Sequence, residues 1–104
     1  MALKQVTETN FESEVLRHDG MVVVDFYAMW CPPCRALAPL LERFADQNAD
    51  QVKVVKVDTD VDEALSEKYG VRTIPTLVAF KNGQELRRAV NPQSRAKLEE
   101  LVME

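Results

Sequence analysis

Residues 22–35, Val-Val-Val-Asp-Phe-Tyr-Ala-Met-Trp-Cys-Pro-Pro-Cys-Arg, constrain this chain more than any other stretch. They set its only two cysteines, Cys31 and Cys34, between an apolar run and an amphipathic one. Residues 22–27 are too few for an ordinary helix and rich in β-branched and aromatic side chains, which predicts a strand. Beyond the cysteines, Leu37, Leu40, Leu41 and Phe44 recur at helical spacing and mark one face of a helix running to about Gln47. Cys31 is then expected at the N-cap, with Pro32 and Pro33 in the first two helical positions, where N–H groups have no partner within the helix. An N-cap side chain accepts from the second or third helical N–H. Pro33 removes the second, which leaves the N–H of Cys34 as donor to the Cys31 sulfur. Pro39 falls inside the helix, deletes the N–H that would bond the Arg35 carbonyl, and is expected to kink it.

The spacing of the cysteines carries chemistry. Residues three apart on a helix share a face at roughly 5–6 Å, within reach of a disulfide. The partial positive charge of a helix N-terminus favours thiolate over thiol. Cys31, at an exposed N-cap, is the candidate nucleophile, and Cys34, one turn deeper, the candidate resolving thiol. Two plainer readings compete. A structural disulfide closing so short a loop removes little unfolded-state entropy and is a weak staple. A structural zinc site wants four ligands; the chain offers one Cys pair and one histidine, His18, so no metal site is expected. In its strand–helix setting the pair reads as a redox couple that exchanges with disulfides of other proteins.

Composition bounds the partners. At 104 residues and 46% hydrophobic, residues 1–104 read as one globular domain with enough apolar material for a core. Acidic residues outnumber basic ones 17 to 13, the net charge is −4 and no basic stripe appears, which argues against nucleic acid or an anionic membrane. No apolar run approaches a membrane span, and the start Met1-Ala2-Leu3-Lys4-Gln5 lacks a signal peptide's hydrophobic region, so a cytoplasmic location is expected. In a reducing cytosol a thiol pair is more often catalytic than structural.

The remaining elements follow from local patterns. Thr9, Asn10, Phe11 and Glu12 resemble a capping box opening a first helix, with Phe11 and Val15 on one face, ending near Asp19 and Gly20. Residues 52–58 form the next strand. Residues 60–63 repeat the capping-box pattern before a short helix carrying Ala64, Leu65 and Tyr69, which Gly70 stops. Residues 76–81 and 85–90 flank Asn82 and Gly83, a pair favoured in tight hairpins. Ser94 opens a last helix with Leu98, Leu101 and Val102 inward. Strand–helix alternation followed by a hairpin and a helix predicts an α/β fold with a mixed central sheet between helical layers. The cysteines fall at the carboxyl end of a central strand, where open α/β sheets place their sites.

The segment Val24-Asp25-Phe26-Tyr27-Ala28-Met29-Trp30-Cys31-Pro32-Pro33-Cys34-Arg35 resembles the active-site signature of the thioredoxin family. The likeness continues through Lys56 and Asp58, through Tyr69-Gly70-Val71-Arg72-Thr73-Ile74-Pro75-Thr76, and through Phe80-Lys81-Asn82-Gly83. Two positions depart from it. Pro32 stands where the family usually has Gly, which bears on the redox potential. Asn91 and Pro92 stand where it usually has a Gly after the last strand, which bears on the shape of the substrate groove.

The resemblance implies a thioredoxin fold and a protein dithiol–disulfide oxidoreductase, most simply a reductase of protein disulfides. Asp25 is a carboxylate in an apolar strand, where burial raises its pKa; the family uses the matching Asp to exchange a proton with the second cysteine. Lys56, on the adjacent strand, is expected to pair with Asp25 and hold that pKa down. Trp30, Pro32, Pro33, Thr73, Ile74, Pro75 and Asn91 are implied as the substrate-binding surface. Within it, a cis Ile74–Pro75 bond faces the thiols and leaves the preceding backbone free to pair with an extended substrate. Arg35 adds positive charge near the site. No cofactor is expected on the chain, which is expected to be monomeric and recharged by an NADPH-dependent flavin thioredoxin reductase. The alternatives are a thiol oxidase or isomerase of the same fold, and a non-catalytic binding subunit.

Overall fold

Side-chain alternation along a strand sorts residues to opposite sheet faces, and in β2, Met21–Tyr27, both faces are buried down to Phe26. Val22, Val24 and Phe26 join one apolar cluster, Met21 and Val23 another. The computed structural model describes residues 3–104. Around β2 the sheet adds β1, Lys4–Gln5; β3, Val52–Asp58; β4, Thr76–Lys81; and β5, Gln84–Val90. The order is β1-β3-β2-β4-β5. β1, β3 and β2 run parallel, and β4 is antiparallel to both β2 and β5. This is the expected mixed α/β sheet with flanking helices.

Helices α1, Pro32–Gln47, and α3, Arg95–Leu101, cover the face that carries Met21 and Val23, through Leu37, Leu41, Phe44, Leu98 and Leu101. Helix α2, Glu63–Lys68, and the segment around Phe11 and Val15 cover the other face. There Phe11, Tyr69 and Phe80 stack edge-on or tilted, with ring centroids 5.3–5.9 Å apart. Burying each such side chain is worth about 1.5–3 kcal/mol, so these two layers fix β2 and everything mounted on its end. Helix α1 runs through Pro39 as one helix.

Two caps differ from expectation. The first helix is a single π-helical turn, Glu12–Leu16, entered through Phe11 without a side-chain cap. The Asn10 carboxamide is engaged upstream, accepting from the Thr7 N–H at 2.8 Å. Helix α2 starts two residues later than the 60–63 pattern, with Asp62 as N-cap accepting from the Leu65 N–H at 3.2 Å. Ser94 caps α3 as expected, its hydroxyl accepting from the Lys97 N–H. The β4–β5 turn has Asn82 and Gly83 both in the left-handed region, φ 51° and 85°, the two-residue hairpin that matches strand twist.

Candidate active site

The strand-to-helix junction forms as its residues dictate. Cys31 is the N-cap of α1 in an extended conformation, Pro32 and Pro33 occupy its first two positions, and the Cys31 sulfur accepts from the Cys34 N–H at 3.2 Å. The two cysteines are joined in a disulfide with their Cα atoms 5.2 Å apart. Pro32 and Pro33 are exposed. The sulfurs are not: Cys31 is 2% exposed and Cys34 5%. This corrects the expectation of an exposed Cys31. Both cysteines pack with Ala28, Tyr27 and Ile74, so in the disulfide state exposure does not separate their roles. What separates them is the N-cap: only Cys31 sits where the free N–H of the helix start points at its sulfur, the arrangement that stabilises a thiolate.

The Ile74–Pro75 bond is cis. The Ile74 carbonyl oxygen lies 3.8 Å from the Cys31 sulfur. The loop is held at both ends: the Thr76 hydroxyl donates to the Thr73 carbonyl at 2.5 Å, and the Asn91 N–H donates to the Pro75 carbonyl at 2.7 Å. Thr73 is exposed and Pro75 buried. Asn91 has φ 51°, a left-handed conformation that glycine adopts without a side-chain penalty. Trp30 is 64% exposed. Its indole N–H donates to Asp60 Oδ2 at 2.9 Å, and Asp58 accepts from the Asp60 N–H at 2.9 Å. The ring is thus an exposed apolar plate tied to Asp60 rather than a core residue. Arg35 turns its guanidinium back onto the Met29 carbonyl at 3.0 Å, closing the loop that leads into the site.

Asp25 lies on the sheet face that α1 covers, in register with Lys56 on β3 and Leu77 on β4. It is 7% exposed, and its Oδ1 makes no hydrogen bond among the described residues. Desolvation pushes its carboxyl up to about 7, and the charge of Lys56 pulls back only in part. The expected Asp25–Lys56 ion pair is not among those formed by the described residues. Instead the Lys56 ammonium lies over the Tyr27 ring, 5.3 Å from its centroid. A flexible lysine stem keeps its charge in water by running along apolar surface, and Asp25 is too deep to follow it. The result is a carboxyl that both holds and releases a proton near neutrality, the requirement for general acid–base work at that pH.

Two residues of this neighbourhood were not legible as site residues. Asp60 fits a helix cap in the sequence, and its role under Trp30 follows only from the fold. Gln93 carries no local signal at all, yet its carboxamide donates to the Pro33 carbonyl at 3.0 Å and to Asn91 Oδ1 at 2.8 Å.

A family profile described as Thioredoxin matches residues 2–104. The chain is similar to Thioredoxin 1 of Synechococcus elongatus, 51% identical over 81 residues, which cover 78% of this chain and 76% of that protein. It is similar to Thioredoxin 1 of Nostoc, 48% identical over 85 residues, 82% of this chain and 79% of that one. It is also similar to the thioredoxin of Rhodospirillum rubrum, 45% identical over 100 residues, 96% of each. The chain belongs to the thioredoxin family and is a protein dithiol–disulfide oxidoreductase.

Proposed function

We propose that this protein works as a reductase of protein disulfides, with Cys31 as nucleophile, Cys34 as resolving thiol and Asp25 as proton acceptor. The observation that carries the reading is the Cys31 sulfur, N-capping α1 against the Cys34 N–H and facing the Ile74 carbonyl. In the reduced state the Cys31 thiolate attacks one sulfur of a substrate disulfide; the other sulfur leaves as thiolate and takes a proton. Cys34, deprotonated with help from Asp25, then attacks the Cys31 sulfur. The second substrate sulfur leaves, and two electrons have passed from the dithiol to the substrate. The backbone on the Ile74 side of the cis proline, the exposed faces of Trp30, Pro32 and Pro33, and Thr73 and Asn91 line the groove that holds an extended substrate strand. Lys56 tunes Asp25 through space rather than by contact. Residues 1–104 act as a monomeric domain in the cytoplasm, and an NADPH-dependent flavin thioredoxin reductase returns the disulfide to the dithiol. No described helix is long and apolar enough to cross a membrane.

Equilibration with glutathione tests the direction. A reductase keeps its Cys31–Cys34 disulfide against millimolar reduced glutathione, because its potential lies below that couple. Ready reduction by glutathione would favour the oxidase or isomerase reading. Retained binding and retained effect after both cysteines are changed to Ser would favour the binding subunit.

A further inference from the structure

The loop after β5 is where the chain departs from the family's glycine, and there a chain of hydrogen bonds crosses the site. The Asn91 N–H donates to the Pro75 carbonyl at 2.7 Å. The side chain of the same Asn91 accepts from Gln93 Nε2 at 2.8 Å, and that nitrogen also donates to the Pro33 carbonyl at 3.0 Å. An amide NH2 has two hydrogens, and here each has an acceptor. The cis-proline loop, the loop of residues 91–93 and the first turn of α1 are therefore joined in one bracket. The first two adjoin the paired ends of β4 and β5, and the third lies 60 residues from Gln93 in sequence.

We propose that Gln93 is a positioning residue for exchange with protein substrates: its carboxamide holds the 91–93 loop against the Pro32–Pro33 turn and fixes the width of the groove. The proposal rests on reading Ile74, Pro75 and Asn91 as that groove. Asn91 occupies a left-handed conformation without being glycine, and Pro92 next to it offers no N–H of its own. The Asn91 N–H bond to Pro75 restrains one side of the loop; Gln93 restrains the other. A loop already held in its binding conformation need not be ordered when substrate arrives, which strengthens binding without touching the chemical step. Gln93 has no contact with either sulfur among its hydrogen bonds, so its influence falls on substrate affinity rather than on thiolate reactivity.

Single-turnover kinetics of the full, pre-reduced chain test this with two probes, insulin as a protein disulfide and hydroxyethyl disulfide as a small one. Gln93→Leu is expected to raise the half-saturating insulin concentration about fivefold, with the limiting rate falling less than twofold. With hydroxyethyl disulfide, which does not span the groove, the second-order rate constant falls less than twofold. The isosteric Gln93→Glu, which places an acceptor before two oxygens, is expected to raise the insulin value at least as much, and it carries the test if the leucine variant folds poorly. A half-saturation value within twofold of the unsubstituted chain for both variants, or an equal loss on both disulfides, would overturn the role of Gln93. Failure of the unsubstituted chain to reduce either probe would instead overturn the reductase reading beneath it.

Discussion

Asp25 carries a carboxyl that burial pushes up to about 7, against an ordinary 3.8. Its effect on stability has a defined sign. A group whose folded pKa is raised binds its proton more tightly in the folded state, so it imposes no penalty below 3.8. The penalty grows as pH rises through the window from 3.8 to about 7 and is complete above it. At 1.36 kcal/mol per pH unit, the full penalty is at most about 4 kcal/mol. Asp25→Asn should therefore stabilise the disulfide form at pH 8 and leave it nearly unchanged at pH 4, as read by urea denaturation at both values. Equal stabilisation at the two pH values would mean that ionisation is not the cause. The buried acid was legible because a lone Asp among Val24, Phe26 and Val23 leaves little choice of environment. The fate of Lys56 was not, because strand register brings it beside Asp25 but a long side chain chooses its own direction. The burial of Cys31 was hidden for a related reason: the residues that cover it, Ile74 among them, come from a distant loop.

Among the elements, strands and long helices followed their hydrophobic period closely, as did the caps at Cys31 and Ser94, whereas the two capping-box patterns did not hold. Thr9 through Glu12 and residues 60–63 both fit the capping-box pattern, yet the first helix is entered through Phe11 without a side-chain cap and Asp60 serves Trp30. A short polar side chain has several backbone and side-chain suitors, and tertiary neighbours decide among them. The β4–β5 hairpin is the opposite case, since Asn82 and Gly83 specify their turn locally. Gly83 has a second duty: a Cβ there would lie 2.5 Å from the Leu16 carbonyl oxygen, at a φ of 85°. The hairpin tip docks on the chain before β2, with the Asn82 side chain accepting from the Gly20 N–H at 2.8 Å. Gly83→Ala meets both the backbone clash and the left-handed conformation, so a loss of about 2–3 kcal/mol is expected. A urea midpoint that stays in place would show that the tip can move away from the turn at Leu16 without cost.

For the molecule as a whole, the layered α/β sheet was legible because β2 is apolar on both faces and α1 and α3 each bury one stripe. The placement of the disulfide at the end of β2 followed from the same run of residues. The cross-links around it were not legible, since Trp30 to Asp60 and Gln93 to Pro33 join positions 30 and 60 residues apart. Those links tie together the segments around a disulfide whose two cysteines are both buried, so the division of labour between them rests on the helix start and on Asp25 rather than on exposure. On this basis Cys31 attacks and Cys34 resolves. The most direct measurement is peptide mapping by mass spectrometry of the adducts that Cys34→Ser and Cys31→Ser form with a protein disulfide. Cys34→Ser should accumulate a stable mixed disulfide through Cys31, and Cys31→Ser should form little adduct and reduce no substrate. An adduct that forms through Cys34 in the Cys31→Ser variant, as fast as through Cys31 in its counterpart, would overturn this assignment of roles.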